Sequence, residues 1–473
     1  MEQIKPDFKR VLDIFYKLCE IPHGSGDLER TVEFLKRFAK DHGATATVDR
    51  ANNVIIEKSG QGVPLAVQAH TDMVCECEKE KSFDFSTEPI RPILDGDRLH
   101  ADGTTLGADD GVGVAMALAL LESDIENPIY LILTADEETG LLGANALSLD
   151  GLPLKTLINL DSEEEGIITI GCADGVRCDV SLNRLKKQKP APDEPLFRLS
   201  VSGLLGGHSG TDIHKNRGNA IKILCEILEE MPKSLRLCTL LGGSRHSAIP
   251  RAAEAVFALS KNDDPNEALN AAAKKYRAQY ENFFAKIAPF SAQTDEPGSA
   301  AAVSFEDTQK ILRLIKALPH GVVAKSRDFE GLTETSVNLA VAEFREEFHL
   351  CAMIRSNVEN GSEAVAEEYK NIAESVGAKT KIEPLFPIWP FCKNSPLTQK
   401  AEAIYKTLFG IRPQVLPIHA GLECGLLRDK LPGLDCISIG PDLHNVHTAN
   451  EWLSLSSAER TWQYLYTLLK TIS

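Results

Sequence analysis

Three short apolar segments in the first third of the chain are each followed directly by acidic or imidazole side chains. They span residues 63–69, 129–135 and 156–160, and Val, Ile and Leu are prominent in them. Apolar runs of this length are typical of strands buried on both faces of an α/β sheet. Open α/β sheets bind ligands at the carboxyl ends of their strands. We therefore predict that the side chains after these segments are the main pointer to function.

Helical patterns separate the predicted strands. Residues 8–19 and 27–42 carry apolar residues at helical spacing, and Gly43 follows the second segment as a normal C-terminal stop. Residues 111–121, GVGVAMALALL, are apolar nearly all round, which predicts a buried helix.

The pattern changes at about residue 177. Alternating strand patterns there mix with amphipathic helices, and the strand–helix alternation resumes after residues 389–390. The predicted strands span 197–201 and 254–259, and the predicted helices span 220–230 and 266–287. We predict a discontinuous α/β catalytic domain of residues 1–176 and 389–473 with an inserted α+β domain of residues 177–388. The polar segment 182–194 is the predicted hinge.

Composition and charge argue against several classes of partner. A length of 473 residues suggests two domains, and 43% hydrophobic with 25% charged residues is an ordinary globular profile. A net charge of −17 without a long basic run argues against nucleic acid as a partner. The eleven cysteines form no regular framework, and no stretch resembles a secretory leader or approaches the ~20 apolar residues of a membrane span. These features predict a cytoplasmic protein that does not contact membranes.

The first two polar motifs each have two readings. His70 and Asp72 form an H-x-D pair, in which the imidazole binds zinc and the carboxylate fixes its tautomer. The alternative is an N-cap or a buried hydrogen-bonded pair. Asp109 and Asp110 precede the predicted buried helix, where acids stabilise a helix N-terminus. A carboxylate at this place is also able to bridge two cations.

The later motifs are more informative together. Residues 136–138 are three consecutive acids, which repel one another strongly unless something positive lies beside them. One glutamate there is a candidate ligand and its neighbour a candidate general base, while a solvated face is the alternative. Asp161 follows the third strand, and His444 and His447 lie in the last loop, where surface positions are usual. Imidazoles and carboxylates without thiolates suit a catalytic zinc site, with cobalt or manganese as alternatives.

These motifs resemble those of the di-zinc exopeptidases that include aminoacylase and carboxypeptidase G. The matching stretches are HTD at 70–72, GADDG at 107–111, DEETG at 136–140, NLD at 159–161 and HTANE at 447–451. Two further stretches, LLGGHSG at 204–210 and HAGLECG at 419–425, are similar to the branch of bacterial aminoacyl-histidine dipeptidases, also called cytosolic non-specific dipeptidases. The resemblance runs from about residue 8 to the C-terminus. It implies a catalytic domain with a central mixed sheet and an inserted lid or dimerisation domain, in a homodimer.

The resemblance also implies a role for each matching residue. One divalent ion is held by His70, Asp109 and Asp161. The other is held by Asp109, Glu138 and His447. The remaining roles are the general base Glu137, Asp72 orienting His70, His208 polarising the substrate carbonyl (in some relatives from the partner subunit), and the substrate contacts Arg355 and Gly421. Arg355 is expected to clamp a peptide carboxylate.

Two positions depart from the pattern of these relatives. Asp110 stands where an Asn usually follows the bridging aspartate, and it adds a carboxylate near the site. Ser247 stands where relatives carry an Asn that binds the substrate's terminal carboxylate. Ser247 is therefore a substrate-binding candidate whose effect on substrate preference is open.

The predicted function is metal-assisted hydrolysis of dipeptides. Two alternatives on the same scaffold are an N-acyl amino-acid deacylase and a tripeptide-type exopeptidase. A non-catalytic metal-dependent binding protein is a third, but binding alone needs no base, and both Glu137 and Glu138 are present. The chain has no G-x-S-x-G motif, which argues against a serine hydrolase.

Overall fold

The computed structural model describes residues 7–291, 301–392 and 394–472. These residues form two compact units, one running up to Cys172 and resuming at Phe386, the other spanning Ala173–Leu385. The second unit begins a few residues before the predicted position 177, because the strand at Gly175–Leu182 pairs within its sheet. The polar segment 182–194, predicted as a hinge, therefore lies inside this unit, and its Gln188 bridges to Ala302.

The helices and strands are numbered here in chain order. The α-helices are α1 Phe8–Cys19, α2 Glu29–Asp41, α3 Ala108–Ala119, α4 Leu142–Ala146, α5 Ala220–Glu229, α6 Asn266–Arg277, α7 Phe305–Ala317, α8 Gly361–Ser375, α9 Pro396–Phe409, α10 Glu423–Lys430 and α11 Leu455–Thr471. The strands are β1 Thr45–Val48, β2 Val54–Lys58, β3 Leu65–His70, β4 Pro92–Asp95, β5 Arg98–Ala101, β6 Ile129–Thr134, β7 Thr156–Asn159, β8 Ile167–Cys172, β9 Gly175–Leu182, β10 Leu196–Ser202, β11 Gly207–His208, β12 Arg236–Gly242, β13 Ala248–Ile249, β14 Ala253–Ala258, β15 Phe284–Pro289, β16 Gly321–Lys325, β17 Thr333–Phe344, β18 Phe348–Ser356, β19 Lys379–Phe386, β20 Gln414–Ile418, β21 Asp435–Ser438, β22 Leu443–His444 and β23 Trp452–Ser454.

The first unit is built on an eight-stranded mixed sheet of order β1-β2-β6-β3-β7-β21-β8-β20. Its three central strands β6, β3 and β7 run parallel, with His70 opposite Thr134 and Gln68 opposite Asn159. The three predicted apolar strands are confirmed, with ends shifted by no more than two residues. Since they are parallel neighbours, their carboxyl ends share one edge of the sheet.

Helix α3 is the buried helix predicted from the sequence. Every residue of Ala108–Ala119 is buried, and the helix packs against α1 and β3. Gly107 precedes it in a left-handed conformation with φ 70°, which a glycine adopts without strain. The helix thus presents its N-terminus beside the end of β3.

The second unit is an α+β domain with its own core. Its nine-stranded sheet follows the order β15-β10-β14-β12-β17-β18-β9-β19, and β16 pairs with β17. Apolar side chains of α5, α7 and α8 pack on the sheet in one continuous cluster. The single helix predicted over 266–287 is wrong in its second half: α6 ends at Arg277 and β15 adds an edge strand to β10. Pairing with β10 outweighs the local helical spacing there.

Within the described ranges, no helix combines the length and apolar character that crossing a bilayer requires.

Candidate metal centre

The carboxyl edge of the central sheet gathers the predicted donor side chains of the first unit. His70 is the last residue of β3, Glu138 follows β6, and Asp161 follows β7. Asp109 comes from the start of α3, and His447 comes from the loop after β22 with φ 61°. Residues widely separated in sequence therefore meet at one edge.

Asp109 lies between the two histidines. Its Oδ1 is 3.1 Å from Nε2 of His70, and its Oδ2 is 3.1 Å from Nε2 of His447. On the first side, Oδ1 of Asp161 is 3.6 Å from His70 Nε2. On the second side, Oε1 of Glu138 is 2.8 Å from His447 Nε2.

Two donor groups share Asp109. The potential ligand atoms of His70, Asp109 and Asp161 all lie within 4.8 Å of one another, and those of Asp109, Glu138 and His447 do the same. A third group of the same compactness joins His70 with Glu137 and Glu138, so the predicted base lies beside the donors. His444, the other histidine of the last loop, instead stacks on Trp452 at 4.0 Å between ring centroids.

The tautomer of His70 is fixed by the backbone. Its Nδ1 lies 3.0 Å from the carbonyl oxygen of Asp72 and 3.5 Å from that residue's carboxylate. A carbonyl only accepts, so Nδ1 carries a proton, and Nε2 is the nitrogen that faces the carboxylates of Asp109 and Asp161. The main chain of Asp72 therefore contributes more directly to orienting His70 than the carboxylate predicted for that role.

The carboxylate of Asp72 instead holds the turn after β6. Its oxygens accept the backbone N–H groups of Glu137 at 3.0 Å and Glu138 at 3.3 Å. Ser25 donates its hydroxyl to the same carboxylate at 2.7 Å. Although burial opposes it, the contacts with His70, Ser25 and this backbone hold the pKa of Asp72 below its usual range. The ionised carboxylate of Asp72 thus holds the backbone of both Glu137, the predicted base, and Glu138, a predicted metal ligand.

Sequence reasoning assigned no role to Glu451. This buried carboxylate accepts backbone N–H groups at the N-terminus of α3, from Leu106 at 2.7 Å, Gly107 at 3.1 Å, Ala108 at 2.8 Å and Asp109 at 3.3 Å. Burial and the nearby charge of Asp109 raise the pKa of Glu451 to about 7 despite these bonds. The only sequence signal was its place in the HTANE stretch, four residues after His447.

The pKa values of the two histidines and of Asp109 are shifted in opposite directions. Although burial opposes both shifts, neighbouring carboxylates raise the pKa of His70 well above its usual range and that of His447 to about 11. Burial also opposes the shift at Asp109, yet the two imidazoles keep its pKa below the usual range. Divalent cations replace such protons on imidazole ligands, so metal binding releases them.

The donors fit a divalent metal. Within the described residues, Oε1 of Glu138 is buried and has no hydrogen bond, even though His447 Nε2 is 2.8 Å away. Mixed imidazole and carboxylate donors suit zinc, cobalt or manganese.

Asp110 faces away from the shared donors. Its Oδ2 accepts the backbone N–H of His70 at 3.3 Å, and its carboxyl packs on Gly113, where an added Cβ would lie 2.1 Å from Oδ1. Burial, followed by the charge of Asp161, raises the pKa of Asp110 well above its usual range. An asparagine at this position would keep an oxygen that accepts the backbone N–H of His70.

Gly421 lies in the first unit, after β20. A Cβ added to it would lie 2.6 Å from the Phe386 ring, so a larger residue there would require that ring to move.

The other substrate-binding candidates lie in the second unit, where they form one cluster. Nε and Nη2 of the buried Arg355 are each 3.3 Å from the hydroxyl of Ser209, and Nη2 is 3.5 Å from Nε2 of His208. Ser209 donates its backbone N–H to the carbonyl of Ser247 at 2.7 Å. The short ladder of β11 and β13 pairs His208 with Ala248 and so aligns these loops.

Comparison with known proteins gives a consistent result. Residues 66–471 match the sequence profile described as "Peptidase family M20/M25/M40". The cytosol non-specific dipeptidase of Escherichia coli (strain K12) is 36% identical over 488 aligned positions, covering 100% of this chain and 99% of that protein. The crystal structure of aminoacylhistidine dipeptidase from Vibrio alginolyticus is similar with a TM-score of 0.81 at 32% identity, covering 100% of this chain and 98% of that one. Aminopeptidase PepT from Bacillus cereus shares the fold, with a TM-score of 0.57 at 15% identity, covering 98% of this chain and 99% of that one.

Proposed function

This chain belongs to peptidase family M20/M25/M40, and from that membership we propose that it is a broad-specificity metallo-dipeptidase that includes aminoacyl-histidine peptides among its substrates. It is a hydrolase of that family. The E. coli and Vibrio relatives, at 36% and 32% identity, are dipeptidases by name.

The bridging geometry of Asp109 carries the proposal. Its two oxygens face His70 and His447 at the same 3.1 Å, and each belongs to a separate group of three donors. We propose that one group holds one divalent ion and the second group another, with zinc favoured and cobalt or manganese as alternatives. Two such ions, when bound, lower the pKa of a water molecule and stabilise negative charge on a peptide carbonyl.

Glu137 is the proposed general base. It takes a proton from the attacking water and delivers a proton to the leaving amine. Burial raises the pKa of Glu137 well above its usual range, and the charge of His70 opposes this. A carboxylate with a raised pKa is suited to accept and return a proton near neutral pH.

The second-unit cluster is proposed to act on the substrate. Arg355 pairs with the peptide carboxylate, His208 polarises the scissile carbonyl, and Ser247 with Gly421 of the first unit contacts the peptide. The support is that the guanidinium of Arg355 is buried and held by Ser209, which fixes its orientation before any ligand binds. We also propose a cytoplasmic homodimer formed through the second unit, in line with the word cytosol in the name of the E. coli relative.

A substrate panel on metal-stripped protein tests the proposal. Zinc, cobalt or manganese is returned, and hydrolysis is measured for dipeptides with and without histidine, their N-acetylated forms, and tripeptides. We expect cleavage of free dipeptides only, restored by metal. Preferred cleavage of the N-acetyl forms would identify a deacylase, preferred cleavage of tripeptides a tripeptidase, and metal uptake without any hydrolysis a binding protein.

A further inference from the structure

Helix α10 begins with a buried carboxylate that the mechanism does not use. The side chain of Glu423 is fully buried. Its Oε2 accepts hydrogen bonds from Nε2 of Gln68 at 2.5 Å and from the hydroxyl of Thr134 at 2.6 Å. Its Oε1 is buried without a hydrogen-bond partner in the part of the chain that the structure describes. Such a group is costly to bury, so its position needs a reason.

A chain of hydrogen bonds leads from Glu423 to the donor group of His70. Gln68 accepts at Oε1 from Nδ2 of Asn159 at 2.6 Å. Asn159 in turn accepts at Oδ1 from the backbone N–H of Asp161 at 3.2 Å. Gln68 and Asn159 are both fully buried, so no solvent competes for these bonds.

The direction of these hydrogen bonds is set at both ends, by Glu423 and by the backbone N–H of Asp161. Because Oε2 of Glu423 accepts, Gln68 points its Nε2 at Glu423 and therefore its Oε1 at Asn159. Asn159 must then present Nδ2 to Gln68 and Oδ1 to the N–H of Asp161. Without Glu423, Nε2 of Gln68 keeps only the hydroxyl of Thr134 at 3.1 Å as an acceptor, so Gln68 and Asn159 are held less firmly.

These hydrogen bonds run beside His70 and Asp161. Gln68 is two residues before His70 on β3, so by strand alternation their side chains lie on the same face of the sheet, and Asn159 ends β7 two residues before Asp161. Gln68 and Asn159 are also register partners in the sheet. Among the described residues, Glu138 and His447 of the other donor group form no hydrogen bond with Glu423, Gln68 or Asn159.

Thr134 has a second acceptor. Its hydroxyl lies 3.2 Å from the carbonyl oxygen of Ala69 as well as 2.6 Å from Glu423. Loss of Glu423 therefore leaves the Thr134 hydroxyl with a partner, while Gln68 loses the shorter of the two hydrogen bonds that its Nε2 donates.

We infer that Glu423 is a positioning residue for one cation site only, that of His70 and Asp161, acting through Gln68 and Asn159. This inference rests on the proposed metal centre. Groups that orient metal ligands from outside the coordination shell typically change metal affinity by about 10- to 100-fold. Glu423→Leu removes the acceptor, whereas Glu423→Gln keeps an oxygen that accepts from Gln68.

Calorimetric titration of metal-stripped protein with Co²⁺ tests the inference, with the visible absorption of bound cobalt as a second readout. Wild type is expected to bind two ions. Glu423→Leu is expected to bind one of them about 10- to 100-fold more weakly and the other unchanged, with an altered cobalt spectrum. Glu423→Gln is expected to restore both affinities. Gln68→Leu interrupts the same chain and is expected to reproduce the selective loss, which keeps the test available if Glu423→Leu does not fold.

A core variant separates positioning from general destabilisation. Leu427→Ala removes a buried side chain from the same helix and is expected to lower thermal stability while both affinities stay at wild-type values. Equal weakening of both sites in Glu423→Leu, two unchanged sites, or a failure of Glu423→Gln to restore them would overturn the inference and leave the metal centre standing. Absence of metal binding by wild type would instead overturn the proposed centre itself.

Discussion

Oδ2 of Asp109 lies 3.1 Å from Nε2 of His447, although 338 positions separate the two residues in the sequence. The N-terminus of a buried helix and a loop near the end of the chain therefore supply neighbouring donors. Glu451 connects the same two regions, because it follows His447 by four residues and binds the backbone that carries Asp109. Removal of the shared carboxylate is accordingly the most direct disturbance of the centre.

Asp109→Asn is expected to reduce bound metal from two ions to at most one and to abolish dipeptide hydrolysis, because an amide bridges two cations poorly. Metal content by mass spectrometry and kcat on a dipeptide measure this. Asp110→Asn is the matched control and is expected to behave as wild type, since an amide oxygen also accepts the backbone N–H of His70. Two ions retained in Asp109→Asn would contradict the bridging role.

Glu137→Ala is expected to lower kcat by about 10²- to 10⁴-fold, the usual contribution of a general base. Metal content is expected to stay at the wild-type value, because Glu138 and not Glu137 is the proposed ligand. Glu164→Ala, a change of an exposed acid, serves as the control. Substantial remaining activity in Glu137→Ala would show that the base is assigned wrongly.

Arg355→Lys is expected to raise KM for dipeptides by about 10-fold or more, because one ammonium cannot replace the two-pronged contact of a guanidinium with a carboxylate. Dipeptide amides lack that carboxylate, so their KM is expected to change little. Steady-state kinetics on a dipeptide and its amide give the comparison. An equal rise for both substrates would argue against a carboxylate clamp.

Glu451→Ala is expected to destabilise the first unit by about 3 kcal/mol or more, because it leaves several buried backbone N–H groups without an acceptor. Urea denaturation followed by tryptophan fluorescence measures the midpoint. Glu459→Ala, on the exposed side of α11, is the control. A midpoint equal to that of the control would mean that solvent satisfies these groups.

His320 predicts acid sensitivity of the second unit. Burial, followed by the charge of Lys222, lowers the pKa of His320 to about 4 from 6.5. Its Nδ1 accepts the backbone N–H of Leu339 at 3.2 Å and faces Nδ2 of Asn219 at 3.3 Å, so a proton there removes an acceptor. The unfolded chain takes up this proton first as pH falls. Stability is therefore complete above about pH 6.5 and decreases by about 3 kcal/mol as pH falls to about 4.

Urea midpoints between pH 4 and 7 test this expectation. His320→Asn keeps an acceptor near the position of Nδ1 but does not titrate in this range, so its loss of stability with acid is expected to be smaller than that of wild type. Parallel pH profiles of the two proteins would exclude His320 as the cause.

The sequence predicts the central sheet well, because β3, β6 and β7 are buried on both faces and their apolar runs stand out against polar flanks. The edge that gathers His70, Glu138 and Asp161 follows from that pattern. The two-residue strands β11 and β13 are too short to leave any periodic signal, and β15 is concealed by the helical spacing that precedes it.

The burial of Glu451 and Glu423 could not be predicted from the sequence, for a different reason. Glu451 and Glu423 stand in loop-like stretches where an acid is normally exposed, and nothing local marks them as buried. Their partners lie in distant parts of the chain, at the start of α3 for Glu451 and on β3 for Glu423. Only the folded structure brings these groups within hydrogen-bonding distance.

Asp72 accepts hydrogen bonds from two consecutive residues, which couples the positions of those residues. Glu137 and Glu138 share one peptide unit and one anchoring carboxylate. Covalent bonds therefore fix the backbone separation of Glu137, the proposed base, and Glu138, a proposed metal ligand. A displacement of this turn therefore moves Glu137 and Glu138 together. Their backbone positions relative to each other change less than those of two residues on separate loops would.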